Sequence, residues 1–327
     1  MHKLSTKKAF IAYALFGWAL LLIADRVSEL RVYQGATIAI LTLAIASIIL
    51  LTGYSGQVSL GHGAFLAIGA YGAAIAQSYW GAPFWFTFLI AILVSAAFGF
   101  ILGFAAGRLS GPYLAGTTLA LAVGLPTLAN QFAFLGGETG LVYDAGSAPA
   151  RFGEEFTLYK WFFWIAALIV LISMFLLRNL LNSRFGRTWK ALRANPTAAA
   201  LSGVNVASSK ILAFTISAGV AGLSGALLGM ISIVAPSAFP LSLSFTIITG
   251  AVLAGVTSLL GSMLGAVVLV VVPEIADAIA HRLGDSEKIS TNLPGFIVSA
   301  LLILTVLFSP NGPAEAMRKR REAHAKH

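Results

Sequence analysis

Residues 34–77 read QGATIAILTLAIASIILLTGYSGQVSLGHGAFLAIGAYGAAIAQ, forty-four positions without one Asp, Glu, Lys or Arg. Two apolar runs, 34–52 and 58–77, each come close to the roughly 20 residues that a helix needs to cross a bilayer. Between them lies only Gly53-Tyr54-Ser55-Gly56-Gln57. Lipid offers the backbone no hydrogen-bond partner, so helices are the default for such runs. The fold class this predicts is all-α, a polytopic helical membrane protein. Outward from this pair, ten stretches qualify as transmembrane or re-entrant helices: 9–24, 34–52, 58–77, 84–107, 112–134, 160–178, 210–235, 244–261, 263–281 and 292–309. The third and eighth are Gly-rich, and each is either a full span or a broken, re-entrant helix.

Composition agrees. Of 327 residues, 58% are hydrophobic and 10% charged, with 33 Gly, no Cys and a mean hydropathy of +0.89. Soluble domains carry about a quarter charged residues, so an ordinary soluble enzyme, a disordered chain and a disulfide scaffold are all excluded. Lys7 and Lys8 ahead of the first apolar run also fit a signal peptide. No small-residue cleavage site follows, however, and Asp25-Arg26 comes directly after, so the run is read as a retained span.

The net charge of +9 would suggest nucleic acid in a soluble protein; here its placement sets topology. With the N-terminus inside, 15 of the 21 Lys and Arg fall on the inner side with two acids, Glu315 and Glu322. The outer side takes the other six cations and ten acids. The positive-inside rule therefore places both termini inside. The basic run Arg318-Lys319-Arg320-Arg321 is read as a topological, lipid-facing feature, and nucleic acid is not expected as a partner. The chain divides into one transmembrane domain, 1–309, containing an inner loop at about 179–209, and a basic tail, 310–327.

The spans hold few ionisable groups: His62, with Glu274 and Asp277 near the outer end of the ninth. Ion-coupled carriers use buried carboxylates or unwound helices, and there is no arginine ladder for a voltage sensor. The chain also lacks a phosphate-binding loop, room for a nucleotide-binding domain, a metal-spaced His or Cys cluster and a hydrolase motif. No catalytic residue, metal site or bound cofactor is expected, so energy for any work must come from another subunit. Gly61, Gly69 and Gly72 in the third span, and Gly222 and Gly225 in the seventh, allow close helix packing or unwind helices around a route. Gln57, Ser59, His62, Tyr71, Thr117, Thr118 and Asn130 are candidate lining residues. For each polar group the competing role is a hydrogen bond to a neighbouring helix.

The longest inner loop runs from Arg178 to Lys210 with six cations and no acid. Within it, Asn195-Pro196 is a helix start, because Asn caps free amides and Pro suits the first turn. Thr197–Ser202 continues the helix and Gly203 stops it. A helix of about two turns is marginal alone in water. It either rests on lipid and its own protein or docks to a soluble partner.

Four blocks give the chain a resemblance to the permease subunits of branched-chain amino-acid ABC importers, and to the larger of the two paired permeases in particular. The blocks are Gly53-Tyr54-Ser55-Gly56-Gln57-Val58-Ser59-Leu60-Gly61-His62-Gly63-Ala64-Phe65 and Arg108-Leu109-Ser110-Gly111-Pro112-Tyr113. The third is the loop from Gly186-Arg187 through Arg193, Asn195 and Gly203, and the last is Ala221-Gly222-Leu223-Ser224-Gly225. The resemblance implies a multi-pass subunit of the bacterial inner membrane that forms the translocation pathway. Its partners would be a second homologous permease, two cytoplasmic ATPases holding ATP and Mg, and a periplasmic solute-binding protein. The ATPase-coupling residues would be Arg187, Lys190, Arg193, Asn195, Pro196, Ala199 and Gly203. Where the family commonly carries acids in this loop, the chain has Pro196 and Ala200, which leaves only positive charge. Related permeases handle urea and short amides, an alternative substrate class; a stand-alone carrier or channel is the competing mechanism, and a membrane scaffold accounts for the hydrophobicity but not the four blocks.

Overall fold

The computed structural model describes residues 6–24, 26–108, 111–149, 152–153, 156–284 and 287–308. The basic tail, Arg151, Glu154, Glu155 and the Leu109-Ser110 pair of the second block lie outside them. Twelve α-helices follow in chain order among the described residues: α1 (Thr6–Ala24), α2 (Glu29–Ile48), α3 (His62–Trp80), α4 (Phe84–Arg108), α5 (Pro112–Gln131), α6 (Leu158–Asn182), α7 (Arg184–Ala194), α8 (Pro196–Leu201), α9 (Val206–Ile231), α10 (Leu241–Ala254), α11 (Gly261–Gly284) and α12 (Glu287–Phe308). Six helical runs are long and apolar enough to cross a membrane: 29–54, 84–107, 158–182, 206–231, 236–254 and 261–279. The stretches expected at 58–77 and 112–134 form α3 and α5, which are helical but fall outside that apolar set. Shorter apolar stretches occupy Phe10–Leu22 and Gly295–Thr305.

The core is built around α9, which packs against α2, α3 and α4. Lipid supplies little hydrophobic drive between helices, so contact depends on backbones coming close. Gly69 and Gly222 meet so tightly that a Cβ on Gly69 would lie 2.2 Å from the Gly222 Cα, and one on Gly225 would lie 1.8 Å from the Leu66 carbonyl oxygen. Gly222 itself faces Ser95 and Ala91, and Gly61 sits against the Thr118 carbonyl. Gly72 differs, because a methyl there would make ordinary contact with the Val94 side chain at 3.5 Å.

Buried serines use this proximity. Ser217 Oγ donates to Ser47 O at 2.7 Å and Ser224 Oγ to Ile40 O at 2.8 Å, tying α9 to α2. Ser95 Oγ lies 2.7 Å from Ala218 O and 3.0 Å from Phe65 O, so one hydroxyl serves α4, α9 and α3 together.

At one end of the bundle the 132–149 segment pairs with the turn after α9 through a lone antiparallel bridge, Leu141 to Val234. Gln77 clamps the same segment, donating to Asp144 O at 2.6 Å and accepting from Asp144 N at 2.8 Å. Burial pushes the Tyr143 phenol up from its usual pKa, opposed by its hydrogen bond with Thr87. At the other end, α7 packs on the turn that joins α2 to α3, and α8 follows at the end of α7.

Replacing Gly225 by Ala forces a carbonyl and a methyl into one space, an overpacking cost of about 1–3 kcal/mol. Thermal unfolding in detergent should show a clear loss for Gly225→Ala and for Gly69→Ala. Gly116→Ala, which meets nothing within 4 Å, should be neutral or stabilising, since Ala is the better helix former.

Candidate functional site

Two features meet at the α7–α8 end: an interrupted membrane helix and a small helical cap. The interruption begins where α2 passes into a π-helical turn, Ile49–Tyr54. Ser55 Oγ takes the Leu51 carbonyl at 2.7 Å, and Gly56 reverses the chain at φ +75°, a conformation that favours glycine. Residues 57–61 then run back without helix, and α3 starts only at His62. His62 Nε2 sits 2.8 Å from Ser47 Oγ. Ser47 lies seven residues before Tyr54, so α3 starts about 10 Å inside the end of the α2 run.

Irregular backbone at that depth needs partners, and the surrounding side chains supply them. Gln57 N donates to Leu51 O at 3.2 Å, and Thr52 Oγ1 donates to Gln57 O at 2.9 Å. Leu60 N donates to Thr118 Oγ1 at 3.0 Å, and Gly63 N to Ser244 Oγ at 2.9 Å. The Gln57 amide nitrogen reaches Ser55 Oγ at 2.8 Å and Lys210 O at 3.1 Å. Thr118 is thus a structural partner of the break, while Thr117 bonds only within α5, to Leu114 O at 2.8 Å.

His62 is fully buried, and its tautomer follows from its neighbours. The Ser47 hydroxyl proton is committed to Ala44 O at 2.6 Å, and that of Ser217 to Ser47 O at 2.7 Å. With both hydroxyl protons so placed, the proton is assigned to Nε2, which leaves Nδ1 the bare acceptor. Nδ1 has no partner, and neither have Gln57 Oε1, Ser59 Oγ or Tyr71 OH; these are four of the six buried, unpartnered side-chain polar atoms among the described residues. Such atoms normally cost about 1–3 kcal/mol each. They fall on residues 57–71, through the break and into α3, where His62 faces Ser47 and Tyr71, two and a half turns on, lies on the opposite face beside Phe239. Asn130 does not join them: it is exposed, at the far end of α5.

The cap is built from sequence signals of the ordinary kind. Ser183 caps α7 by accepting from Phe185 N at 3.2 Å, and α7 buries Gly186, Trp189 and Leu192. Trp189 Nε1 donates to Ser209 O at 3.0 Å, fastening α7 to the start of α9. Asn195 Oδ1 accepts from Ala198 N at 3.0 Å, Pro196 opens α8, and Gly203 closes it at φ +84°. Ala199 is buried against the protein, while Leu201 at the tip is 87% exposed.

The three cations singled out in the loop separate. All three are exposed, and Arg187 lies beside the Asn182 carbonyl. Lys190 Nζ stands 5.0 Å over the Tyr54 ring, and Arg193 Nη1 donates to Gly53 O. Two of them therefore turn back toward the α2–α3 turn.

A sequence model of one family, described as branched-chain amino acid transport system / permease component, matches residues 32–306. The chain belongs to that family. Among relatives of this permease is LivM of Salmonella typhimurium, a high-affinity branched-chain amino acid transport system permease protein, 33% identical over 91% of this chain and 74% of its own length. LivM of Escherichia coli K12 is also 33% identical, over 84% of this chain and 69% of its own length. No solved structure matches significantly.

The permease contains elements that its sequence signalled but that the reading of single residues passed over. Helix α7 is one: a Ser cap followed by Phe185, Trp189 and Leu192 at helical spacing is a legible signature. The interhelical serines, Ser47, Ser95, Ser217, Ser224 and Ser244, give no such local signal.

Removing the α8 cap with Asn195→Ala should cost about 1 kcal/mol. Because α8 is short, the effect should be local: faster hydrogen exchange at Ala198 and Ala199, with little change in global unfolding.

Proposed function

We propose that the chain is the membrane-spanning permease subunit of an ATP-driven importer, forming the translocation pathway for branched-chain or similar amino acids. The observation that carries this reading is the meeting of the two features above. Buried polar atoms without partners lie on residues 57–71, through the break and into α3, and α7, which carries α8 at its end, packs on the turn that begins the interruption. Gln57, Ser59, His62 and Tyr71 would contribute to the pathway, exchanging their missing hydrogen bonds for water or solute when it opens.

The subunit itself catalyses nothing and holds no cofactor; ATP and Mg would be bound by two cytoplasmic ATPases. Leu201 and the exposed face of α8 would seat in an ATPase groove, with Arg187, exposed near the start of α7, as a further contact. A second homologous permease completes the membrane body, and a periplasmic solute-binding protein delivers the substrate. The remaining architecture is about ten transmembrane or re-entrant helices in one domain, 1–309, with both termini on the cytoplasmic face of the inner membrane. Six cations without an acid between Arg178 and Lys210 support that orientation. ATP-driven closure of the ATPases would move α7 and α8 and switch the cavity between outward- and inward-facing states. It can do so only if ATP and solute bind those states with different affinity.

Reconstitution into vesicles tests this directly. Leucine should accumulate only when the ATPases, the second permease and the binding protein are present with ATP. Leucine uptake by this chain alone, independent of ATP, would sink the assignment, and uptake of urea in place of leucine would move the substrate to short amides. At the docking tip, Leu201→Asp should weaken ATPase association by about tenfold or more, as expected for losing a buried apolar anchor. Gly203→Pro should uncouple hydrolysis from uptake while membrane insertion is retained.

A further inference from the structure

Arg193 and Lys190 make contacts that a docking role leaves unexplained. Both belong to α7, and both reach the end of the α2 run: the guanidinium donates to the Gly53 carbonyl, and the ammonium stands over Tyr54. That carbonyl belongs to the last turn of the run, where acceptors lack intrahelical partners and carry partial negative charge. The stem of Arg193 packs on Gly56, whose Cβ, if it had one, would lie 3.2 Å from Arg193 Cγ and 3.4 Å from Arg193 Cβ. Gly53 is equally constrained on its other side, where a Cβ would strike the Val256 carbonyl oxygen at 1.8 Å. The turn has no side chains here because another element fills their space.

We infer that Arg193 is a positioning residue, a latch that holds α7 against the α2–α3 turn so that the cap and the unwound segment move as one body. This rests on the reading of α8 as the ATPase-docking element. Three contacts close a ring: Arg193 joins α7 to the turn, Gln57 joins the turn to α9 through Lys210 O, and Trp189 joins α7 to α9 through Ser209 O. Displacement of α8 passes through Asn195 into α7 and then, through the latch, to Gly53 and Gln57. Beyond Gln57 the chain has four residues before it enters α3 at His62. The latch therefore connects the docking surface to the break and the unpartnered atoms of Gln57 and Ser59 without passing through the length of a membrane helix. Lys190 reinforces the same contact, since a cation over an aromatic ring adds attraction of its own.

The decisive variant is Arg193→Met, which keeps an unbranched stem against Gly56 and removes the donor. In the reconstituted full complex, ATPase association and ATP hydrolysis should be retained. Leucine carried per ATP hydrolysed should fall by about tenfold, with partial recovery in Arg193→Lys, which restores one charged donor. An unchanged transport-to-hydrolysis ratio overturns the latch. So does a loss explained entirely by weaker ATPase association, which would make Arg193 a docking residue. Retained ATPase association and hydrolysis in Arg193→Met exclude misfolding as the cause of a lowered ratio. If the wild-type chain carries leucine without ATP or ATPases, the permease-subunit reading fails and takes the latch with it. Coupled wild-type transport with unaffected Arg193→Met removes the latch alone.

Discussion

Backbone pairing in a medium without water is the constraint on which the structure depends. A helix satisfies its own amides and carbonyls, but residues 56–61 do not form one, and they lie beside a helix start displaced into the bundle. Side chains from elsewhere supply partners here: Thr52 for the Gln57 carbonyl, Thr118 for the Leu60 amide and Ser244 for the Gly63 amide in the first turn of α3, while Gln57 N uses the Leu51 carbonyl. These donors and acceptors come from the end of α2, from α5 and from α10. The positions of those helices around the break are part of the same requirement, because irregular backbone at membrane depth persists only where protein or a cavity covers it.

Glycine and serine divide the remaining work. Where α3, α4 and α9 cross, glycine removes the Cβ and lets carbonyls approach within reach of a hydroxyl on the next helix. Serine then converts that approach into a directed bond, as with Ser95 between Phe65 O and Ala218 O. Interhelical bonds of this kind contribute about 0.6 kcal/mol on average in membranes. Their larger effect is to fix one packing arrangement, since a slide of one helix along another leaves a hydroxyl facing hydrocarbon. The atoms left out of this scheme stand in contrast. Gln57 Oε1, Ser59 Oγ, His62 Nδ1 and Tyr71 OH are buried without partners beside a framework that pairs its own polar groups closely.

Much of this was legible in the sequence, for identifiable reasons. Hydropathy alone locates the helices, because lipid removes alternatives to them. The end of α8 at Gly203 and its cap at Asn195 follow from local chemistry, with no tertiary information needed. The break between α2 and α3 is marked by Gly53, Gly56 and Gly61, but the depth at which α3 begins is not, because it depends on Ser47 and Ser217 meeting His62 from two other helices. The apolar threshold separates α3 and α5 from the six clear spans for a related reason. Gln77 of α3 holds an end loop and Thr118 of α5 holds the break, and such polar residues, with glycines, lower the hydropathy of helices that the charge pattern still treats as spans. Gly72 shows the limit of composition, since it resembles Gly69 in sequence and meets only the side chain of Val94.

Charge explains why the cap is arranged as it is. No acid lies between Arg178 and Lys210, so a cation on α7 that folds back onto the protein must find a neutral acceptor. The strongest available are helix-end carbonyls, with their partial negative charge, and aromatic faces; Arg193 takes the first at Gly53 and Lys190 the second at Tyr54. An acid in the loop would compete for both side chains and release the turn. Those two cations contact the turn while remaining exposed, and the outward face of α8 itself carries Pro196, Thr197, Ala198, Ala200 and Leu201, none of them charged. Recognition at that tip falls to shape and apolar contact. The same absence of acids that makes the loop look like a basic docking patch thus directs part of its charge into holding the cap to the interrupted helix.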